Sequence, residues 1–467
     1  MSRRPQDERP RPQVIIVGAG IGGLALAILL DQINIPYHIF ERASEVKPLG
    51  SGMAFSGNIL TALDQLGLYE ELKQVSKPFN EVAFYNGRSE EMGTFDTRFA
   101  NKATAYDSLF FARPRFYEIL RKRIPDHRIS FNKRILRNEE KEGKVIIHCS
   151  DNSSYIGDIL VGADGAYSGV RQSMYKRMNE KGLLPKSDLE NFSIGYTTIV
   201  GIAIPPNPDK YPKLNEEHAS FNQILYKGGA NCYIVTLPDN RISWGFGLQL
   251  PKSALNDMQF RNSEWGPEAN DTTLERYRDL PCPLGGTMGD LFDATPKHLT
   301  SKILLEEKLF KTWHYGKTVL LGDACHKFHP AAGQGALNAI CDAIVLANNI
   351  YTMPDSSHKS IKAVFKEYYR QRYHRAEYAY DRSVGMSKIL NGQYWHERLL
   401  RQAVLNFTPA WLMKRDMEEA NIYRPQVAWL PLIKNRGSGP VHPQEFKRKR
   451  ANATVGVRMA MTLPAKN

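Results

Sequence analysis

Short apolar runs that end abruptly on glycine occur three times along this chain. Val14-Ile-Ile-Val17 meets Gly18, Ile159-Leu-Val161 meets Gly162, and Thr318-Val-Leu-Leu321 meets Gly322. Runs of this length, with no polar residue on alternate positions, read as strands buried on both faces of a sheet. After the first run the apolar spacing becomes helical from Ile21 to Leu30, so the pattern predicts strand, tight turn and helix. After the third, a helix is predicted from Ala336 to Ile350. A further short strand, Tyr37–Phe40, ends on Glu41. Ile59 to Leu66 reads as an amphipathic helix stopped by Gly67, and Pro114 marks the first turn of a helix that begins near Arg113. Residues 129–161 alternate like strands of a hairpin, at Ile129–Phe131, Val145–Cys149 and Ile159–Val161.

From about residue 191 to 250 the texture changes to strands separated by turns, as in Tyr196–Ile204 and Arg241–Gly247. This predicts an antiparallel sheet inserted into the first domain. Residues 251–310 read as mixed or helical, and a long helix rich in Tyr and Arg runs from about Ile361 to Tyr380. The resulting class is α/β: a Rossmann-like dinucleotide-binding domain, an inserted antiparallel-sheet domain and a C-terminal helical extension. The expected divisions are a disordered leader at 1–12, the nucleotide domain at 13–190 and 311–385, the insertion at 191–310, and the extension at 386–467.

Composition narrows the setting without changing that outline. The chain has 467 residues, 42% of them hydrophobic, enough for two or three domains with sizeable cores. No apolar run approaches the roughly 20 residues needed to span a bilayer, and residues 1–12 are charged and proline-rich. A cytoplasmic chain is expected, with at most peripheral contact with a membrane through short apolar pieces such as Leu405–Met413 and Val427–Ile433. The net charge of +13 is scattered, apart from Lys447-Arg-Lys-Arg450, and no nucleic-acid module accompanies it, so no nucleic-acid partner is expected. Five cysteines lie far apart with no C-x-x-C pair, which points to reduced thiols and to no metal site.

The chemistry lies in the three glycine runs. Gly18-x-Gly20-x-x-Gly23 sits between a strand and a helix, the context in which such a turn presents a helix N-terminus to a pyrophosphate. Glu41, eighteen residues after Gly23, stands where an acid accepts hydrogen bonds from an adenosine ribose. The loop Leu49–Asn58, rich in Gly and Ser, offers backbone amides to an anion or serves as a plain connection. Gly162-Ala-Asp164-Gly165 is followed by Ser168 and Arg171. In Gly322-Asp323-Ala-Cys-His326, followed by Pro330, Gly333, Gln334 and Gly335, a strand again delivers a glycine loop to a helix N-terminus, with Asp323 placed to hold a sugar alcohol.

The ordered trio resembles the FAD-dependent aromatic hydroxylases, or class A flavoprotein monooxygenases, a family that includes salicylate hydroxylase, zeaxanthin epoxidase and related fungal enzymes. The resemblance covers roughly residues 13–385. It implies that Gly18, Gly20 and Gly23 hold the FAD pyrophosphate, Glu41 the adenosine ribose, and that Arg113 contacts FAD. It implies that Asp164 shapes the FAD and NAD(P)H sites, that Asp323 meets the ribityl chain or the flavin-side ribitol phosphate region, and that Gly333 to Gly335 lie by the isoalloxazine ring with Pro330 lining the oxygen chamber. His326 matches a position that is more often structural than catalytic. The implied activity is hydroxylation or epoxidation of an aromatic or apolar small molecule with NAD(P)H and O2, through a flavin C4a-hydroperoxide. A terpenoid, polyketide or quinone intermediate is the alternative to a simple phenol. No catalytic base is nominated; Tyr226 and Tyr233 read as core or wall residues. A flavin halogenase is excluded by the missing Trp-x-Trp-x-Ile-Pro string, and a two-fingerprint Baeyer–Villiger enzyme by the missing second fingerprint. An isoprenoid-type reductase keeps the same fold and stays open. A non-redox escort protein predicts degraded second and third loops, and both are intact.

Overall fold

The computed structural model describes residues 11–45, 51–226, 228–250, 264–265, 271–392 and 394–446. Most of the expected leader, Leu49 and Gly50 of the Leu49–Asn58 loop, most of 251–270 and the basic run Lys447–Arg450 lie outside those residues. The described chain starts on a held residue: the Arg11 guanidinium donates to the Asn34 carbonyl at 2.7 Å, two residues before the division expected at 12/13.

Six strands form the nucleotide-domain sheet, in the order His314–Tyr315, Thr318–Leu320, Ile159–Gly162, Val14–Val17, Tyr37–Phe40 and Ile129–Ser130. All neighbours are parallel except the edge pair His314–Tyr315 with Thr318–Leu320. The apolar strand runs are buried on both faces because helices cover one, and the short strands of residues 135–157 with the helix Gly169–Asn179 pack on the other. Ile21–Gln32 is buried from Ile21 to Leu30, and Gly335–Thr352 packs against it. The close approach of these two helices is set at Gly22, where a Cβ would stand 3.2 Å from the Ala339 Cβ.

Residues 129–161 do not form one hairpin. Ile129–Ser130 and Ile159–Gly162 join the parallel sheet, while Ile135–Lys141, Lys144–Cys149 and Ser154–Gly157 make a small antiparallel sheet of their own. The charged strand Ile135–Lys141 (ILRNEEK) carries too few apolar residues to be seen in the pattern.

The large second sheet runs Glu264–Trp265, Ser301–Leu309, Ser193–Ala203, Arg241–Gln249, Asn231–Leu237, Phe221–Leu225, Glu81–Asn86, Glu91–Asp96. Its last two strands come from within the first 190 residues, and Phe221–Leu225 pairs with Glu81–Asn86 in parallel. The sheet is therefore shared between the insertion and the nucleotide domain, and is not purely antiparallel. Ser301–Leu309, expected within a mixed or helical stretch, is one of its longest strands. Trp244 and Phe246 anchor its core, with the Trp244 indole N–H donating to Thr295 Oγ1 at 2.8 Å. Burial of each such ring contributes roughly 1.5–3 kcal/mol.

The long helix extends further than its pattern predicts, His358–Asn391, and is followed by Trp395–Phe407 and Ala410–Ala420. Residues 421–446 then run back without regular structure, tied down by side chains. Arg424 donates to the Ala103 carbonyl, Asn348 to that of Gln426, and Gln65 to that of Pro431. Among the described residues no helix is long and apolar enough to cross a membrane.

Candidate functional site

Register brings the candidate residues together. Phe40, Val17, Gly162 and Leu320 are consecutive partners across four parallel strands. Each is the last residue of its strand, so the chain leaves all four at one level of the carboxyl edge. Glu41, Gly18, Ala163 and Leu321 follow there, which is where ligands sit in open parallel sheets.

At the first loop Gly18 has φ +105, a conformation strained for any L side chain, and its missing Cβ would stand 2.3 Å from the Ala163 carbonyl oxygen. Gly18 thus packs on the second loop as well as turning the first. Gly23 faces the Gly18 carbonyl oxygen, where a Cβ would lie at 2.1 Å. Gly20 has nothing within 4 Å on its Cβ side. It is the N-cap of Ile21–Gln32, with no side-chain cap and no acid in the first turn. The helix N-terminus therefore presents its amides and partial positive charge to open space, a seat suited to a pyrophosphate.

Glu41 braces this loop: one carboxylate oxygen accepts from the Ala19 amide at 2.8 Å, the other from the Ala43 amide at 2.9 Å. Each oxygen keeps a lone pair for a further donor. Arg113 is the first residue of the helix Arg113–Arg121, half-buried, with its amide donating to the Ser51 carbonyl. Its charge bears on Lys327, which places it by the third loop.

Asp164 turns inward. It accepts from Ser168 Oγ at 2.5 Å and from the Val170 amide at 3.1 Å, and loss of solvation pushes its carboxyl above the usual range. Ser168 in turn caps Gly169–Asn179 by accepting from the Arg171 amide. Arg171 then bridges the second and third loops, donating to the Ala166 carbonyl at 2.6 Å and the Ala324 carbonyl at 2.9 Å over the Phe310 ring. Asp164 therefore shapes the loop from beneath.

In the third loop Asp323 accepts from Lys327 Nζ at 2.5 Å, and a Cβ on Gly335 would lie 3.9 Å from its other oxygen. Lys327 was not legible as a site residue. Gly333 has φ +62 and nothing within 4 Å, and Gly335 opens the helix Gly335–Thr352, again with no side-chain cap and no acid in its first turn. A second unsatisfied helix N-terminus thus opens next to Asp323.

His326 is fully buried, stacked on Phe328, with Nε2 2.6 Å from Asp342 Oδ2. The same oxygen accepts from the Gly322 amide at 2.9 Å, and Oδ1 accepts from Arg372 Nε at 2.7 Å. Desolvation opposes ionisation here, yet the charges of His326 and Arg372 hold the Asp342 carboxyl below its ordinary value. Cys325, His326 and Asp342 lie close enough to hold a metal ion, all buried. The Asp342 oxygens are committed to an amide, an imidazole and a guanidinium, so the cluster is a salt-bridge network that fixes the loop.

His329, which sequence gave no reason to single out, faces the large sheet. It is 7% exposed, its ring lies edge-on to Tyr196 at 5.7 Å, and burial pushes its pKa down to about 4. Its Nδ1 accepts from the Ala331 amide, and the buried Nε2 has no partner among the described residues. Lys308 and Leu309 pair with Lys327 and His326, which joins the loop to the sheet. The buried Glu306 of that strand accepts from the Tyr167 hydroxyl of the second loop. Tyr226 stacks on Phe246 inside the sheet core, and Tyr233 covers Gly245.

A sequence model of the family described as FAD binding domain matches residues 11–191 and 289–383. The FAD-dependent monooxygenase nvfK of Aspergillus novofumigatus is 30% identical over 420 residues, 86% of this chain and 85% of that protein. The FAD-dependent monooxygenase prhF of Penicillium brasilianum is 29% identical, covering 94% and 91%. Among solved structures, Klebsiella pneumoniae HpxO complexed with FAD and uric acid superposes with TM-score 0.72 at 22% identity, over 88% of this chain and 97% of that one. The 2,6-dihydroxypyridine-3-hydroxylase of Arthrobacter nicotinovorans superposes at 0.67 with 17% identity, over 83% and 95%. These two likenesses concern the fold.

Proposed function

Since this chain belongs to the family of FAD-dependent monooxygenases, we propose that it uses NAD(P)H and O2 to hydroxylate or epoxidise an aromatic or other apolar small molecule. The observation that carries the reading is the single level at which four strands release their loops, with two uncapped helix N-termini open above it. The residues present fit FAD: open space over Gly20 and Gly333, and the carboxylates Glu41 and Asp323 beside them.

When bound, FAD supplies the activation of O2 and the transfer of one oxygen atom to the substrate. The protein's share is placement and exclusion of water. Amides at Gly20–Gly23 take the pyrophosphate, and Glu41, held by Ala19 and Ala43, accepts from the adenosine ribose. Asp323 accepts from the ribityl chain, its charge balanced by Lys327, and Arg113 adds a cation on the same side. The N-terminus of Gly335–Thr352 would favour negative charge on a flavin held beside it. Asp164 and Arg171 fix the second loop at the entry of NAD(P)H. Neutral His329, with Tyr196, forms the wall facing the substrate and offers a ring nitrogen to a substrate oxygen.

A terpenoid, polyketide or quinone intermediate of secondary metabolism is the second reading, supported by the fungal relatives named above. Five buried cysteines, none disulfide-bonded, support a reducing, cytoplasmic setting. The test is a screen of NADH and NADPH oxidation by the FAD-loaded protein against aromatic and isoprenoid compounds. One class should accelerate flavin reduction and yield a product one oxygen heavier. A protein that takes up FAD but oxygenates none of them sinks the proposed reaction.

A further inference from the structure

The two helices Trp395–Phe407 and Ala410–Ala420 contain no buried residue, although each is amphipathic. One flank is docked. Trp395–Phe407 lies against the long helix and the strand Glu91–Asp96, with the Leu405 carbonyl 3.3 Å from where Gly93 would carry a Cβ. Ala410–Ala420 is fastened by Arg382, which donates to both oxygens of Asp416. The other flank is bare and apolar: Trp395, Leu399, Leu400, Phe407, Trp411 and Leu412 are exposed, Phe407 at 79% and Trp411 at 64%. So many exposed large apolar side chains on one short helix pair mark a contact surface.

Charge says what the surface fits. The exposed charged residues of the pair are Arg398, Lys414, Arg415 and Glu419, with Lys414 also 3.8 Å from the half-buried Glu418 and Asp416 taken up by Arg382, on a chain of net charge +13. Exposed aromatic residues at the start of the first helix and at the junction of the two, with exposed cations on the same pair, suit the headgroup region of an anionic bilayer. The place in the fold adds a reason. The long helix ends on Asn391, whose side chain accepts from Asn231 of the large sheet at 2.6 Å. Next to it Asn391, Tyr394 and Glu397 all bear on Tyr196, the residue whose ring meets His329. The bare pair therefore begins at the substrate wall.

We propose that the helix pair Trp395–Ala420 docks this chain on an anionic lipid surface and sets the Tyr196 side of the site against it, so that an apolar substrate enters from the bilayer. The inference rests on the apolar-substrate reading above. The test uses the full-length, FAD-loaded protein with vesicles of phosphatidylcholine, alone or with roughly a third phosphatidylserine, sedimented at low and high salt. Binding is expected on the phosphatidylserine vesicles, weakened by salt. In the Phe407→Ser, Trp411→Ser double variant it should fall about tenfold or more, with FAD content and melting temperature unchanged. A Lys414→Glu, Arg415→Glu variant should lose the preference for phosphatidylserine. Wild-type protein left in the supernatant, or bound equally to both vesicles, overturns the proposal. So does a dimer in light scattering that the Phe407→Ser, Trp411→Ser variant dissociates, because a second copy then covers the patch. Flavin absorbance read in the same samples separates the two ideas: yellow protein that ignores vesicles sinks docking alone, and colourless protein that binds them sinks the FAD reading alone.

Discussion

Two glycine loops open helices at the same edge of one sheet, and their glycines work differently. In the first, a Cβ on Gly18 or Gly23 would meet backbone oxygen at 2.3 or 2.1 Å. In the third, Gly333 faces open space, and a Cβ on Gly335 would meet only an Asp323 oxygen at ordinary distance. The first loop is held by backbone packed on backbone. The third is held by charge: Asp342 ties the Gly322 amide, His326 and Arg372 together in the core. Similar motifs at the level of sequence thus rest on steric packing in one case and on a buried ion network in the other.

The largest test of that contrast is Asp342→Asn, which leaves the Arg372 guanidinium buried without its counter-charge and should cost about 3–5 kcal/mol in denaturant unfolding. A loss below about 1 kcal/mol would mean that the third loop does not depend on the network. Next comes Gly23→Ala, expected to destabilise by about 3 kcal/mol because the new methyl meets backbone that cannot move aside. Arg171→Met, which abandons two loop carbonyls, should cost about 2 kcal/mol and loosen FAD measurably by fluorescence titration.

His329 gives a pH signature of similar or smaller size. Its folded pKa of about 4 lies below the ordinary 6.5, so the unfolded chain binds the extra proton between those values. Stability from this residue is complete above pH 6.5 and is lost as pH falls toward 4. Between pH 7 and pH 5 the loss is about 2 kcal/mol, and His329→Asn should remove it from the difference in unfolding free energy measured at the two values. The smallest effect on stability belongs to Gly20→Ala, whose methyl enters open space. Apo-protein melting should stay within about 0.5 kcal/mol of wild type while FAD affinity falls, and an equal fall in both would erase the distinction between packing and ligand glycines.

The three strands and the loops that follow them were legible because glycine after an apolar run leaves a mark at short range, whereas their shared level at the sheet edge came from register. Glu41 and Asp323 follow strand ends at that edge and Gly335 opens a helix beside Asp323, while Asp164 spends its carboxylate on Ser168 and Val170. What stayed hidden depends on distant pairing. Glu81–Asp96 joins the large sheet through Phe221–Leu225, Arg372 reaches Asp342 from another helix, and His329 meets Tyr196 from another sheet. No local periodicity encodes such partners. After Asn391 the sequence showed only a helical extension with short apolar pieces, because apolar spacing there looks like any core helix, and only the fold shows that nothing among the described residues covers the pair.

The shared level of Phe40, Val17, Gly162 and Leu320 has a consequence for change over time. A residue inserted within one of those strands would carry its loop about 3.3 Å out of step and turn its side chains to the opposite face. A residue inserted in the long stretches between them would leave the four ends aligned. Tolerance is therefore distributed by position along the chain: a lineage can lengthen, trade or reshape the sheet that meets the substrate, again and again, while the seat beneath it keeps the same count.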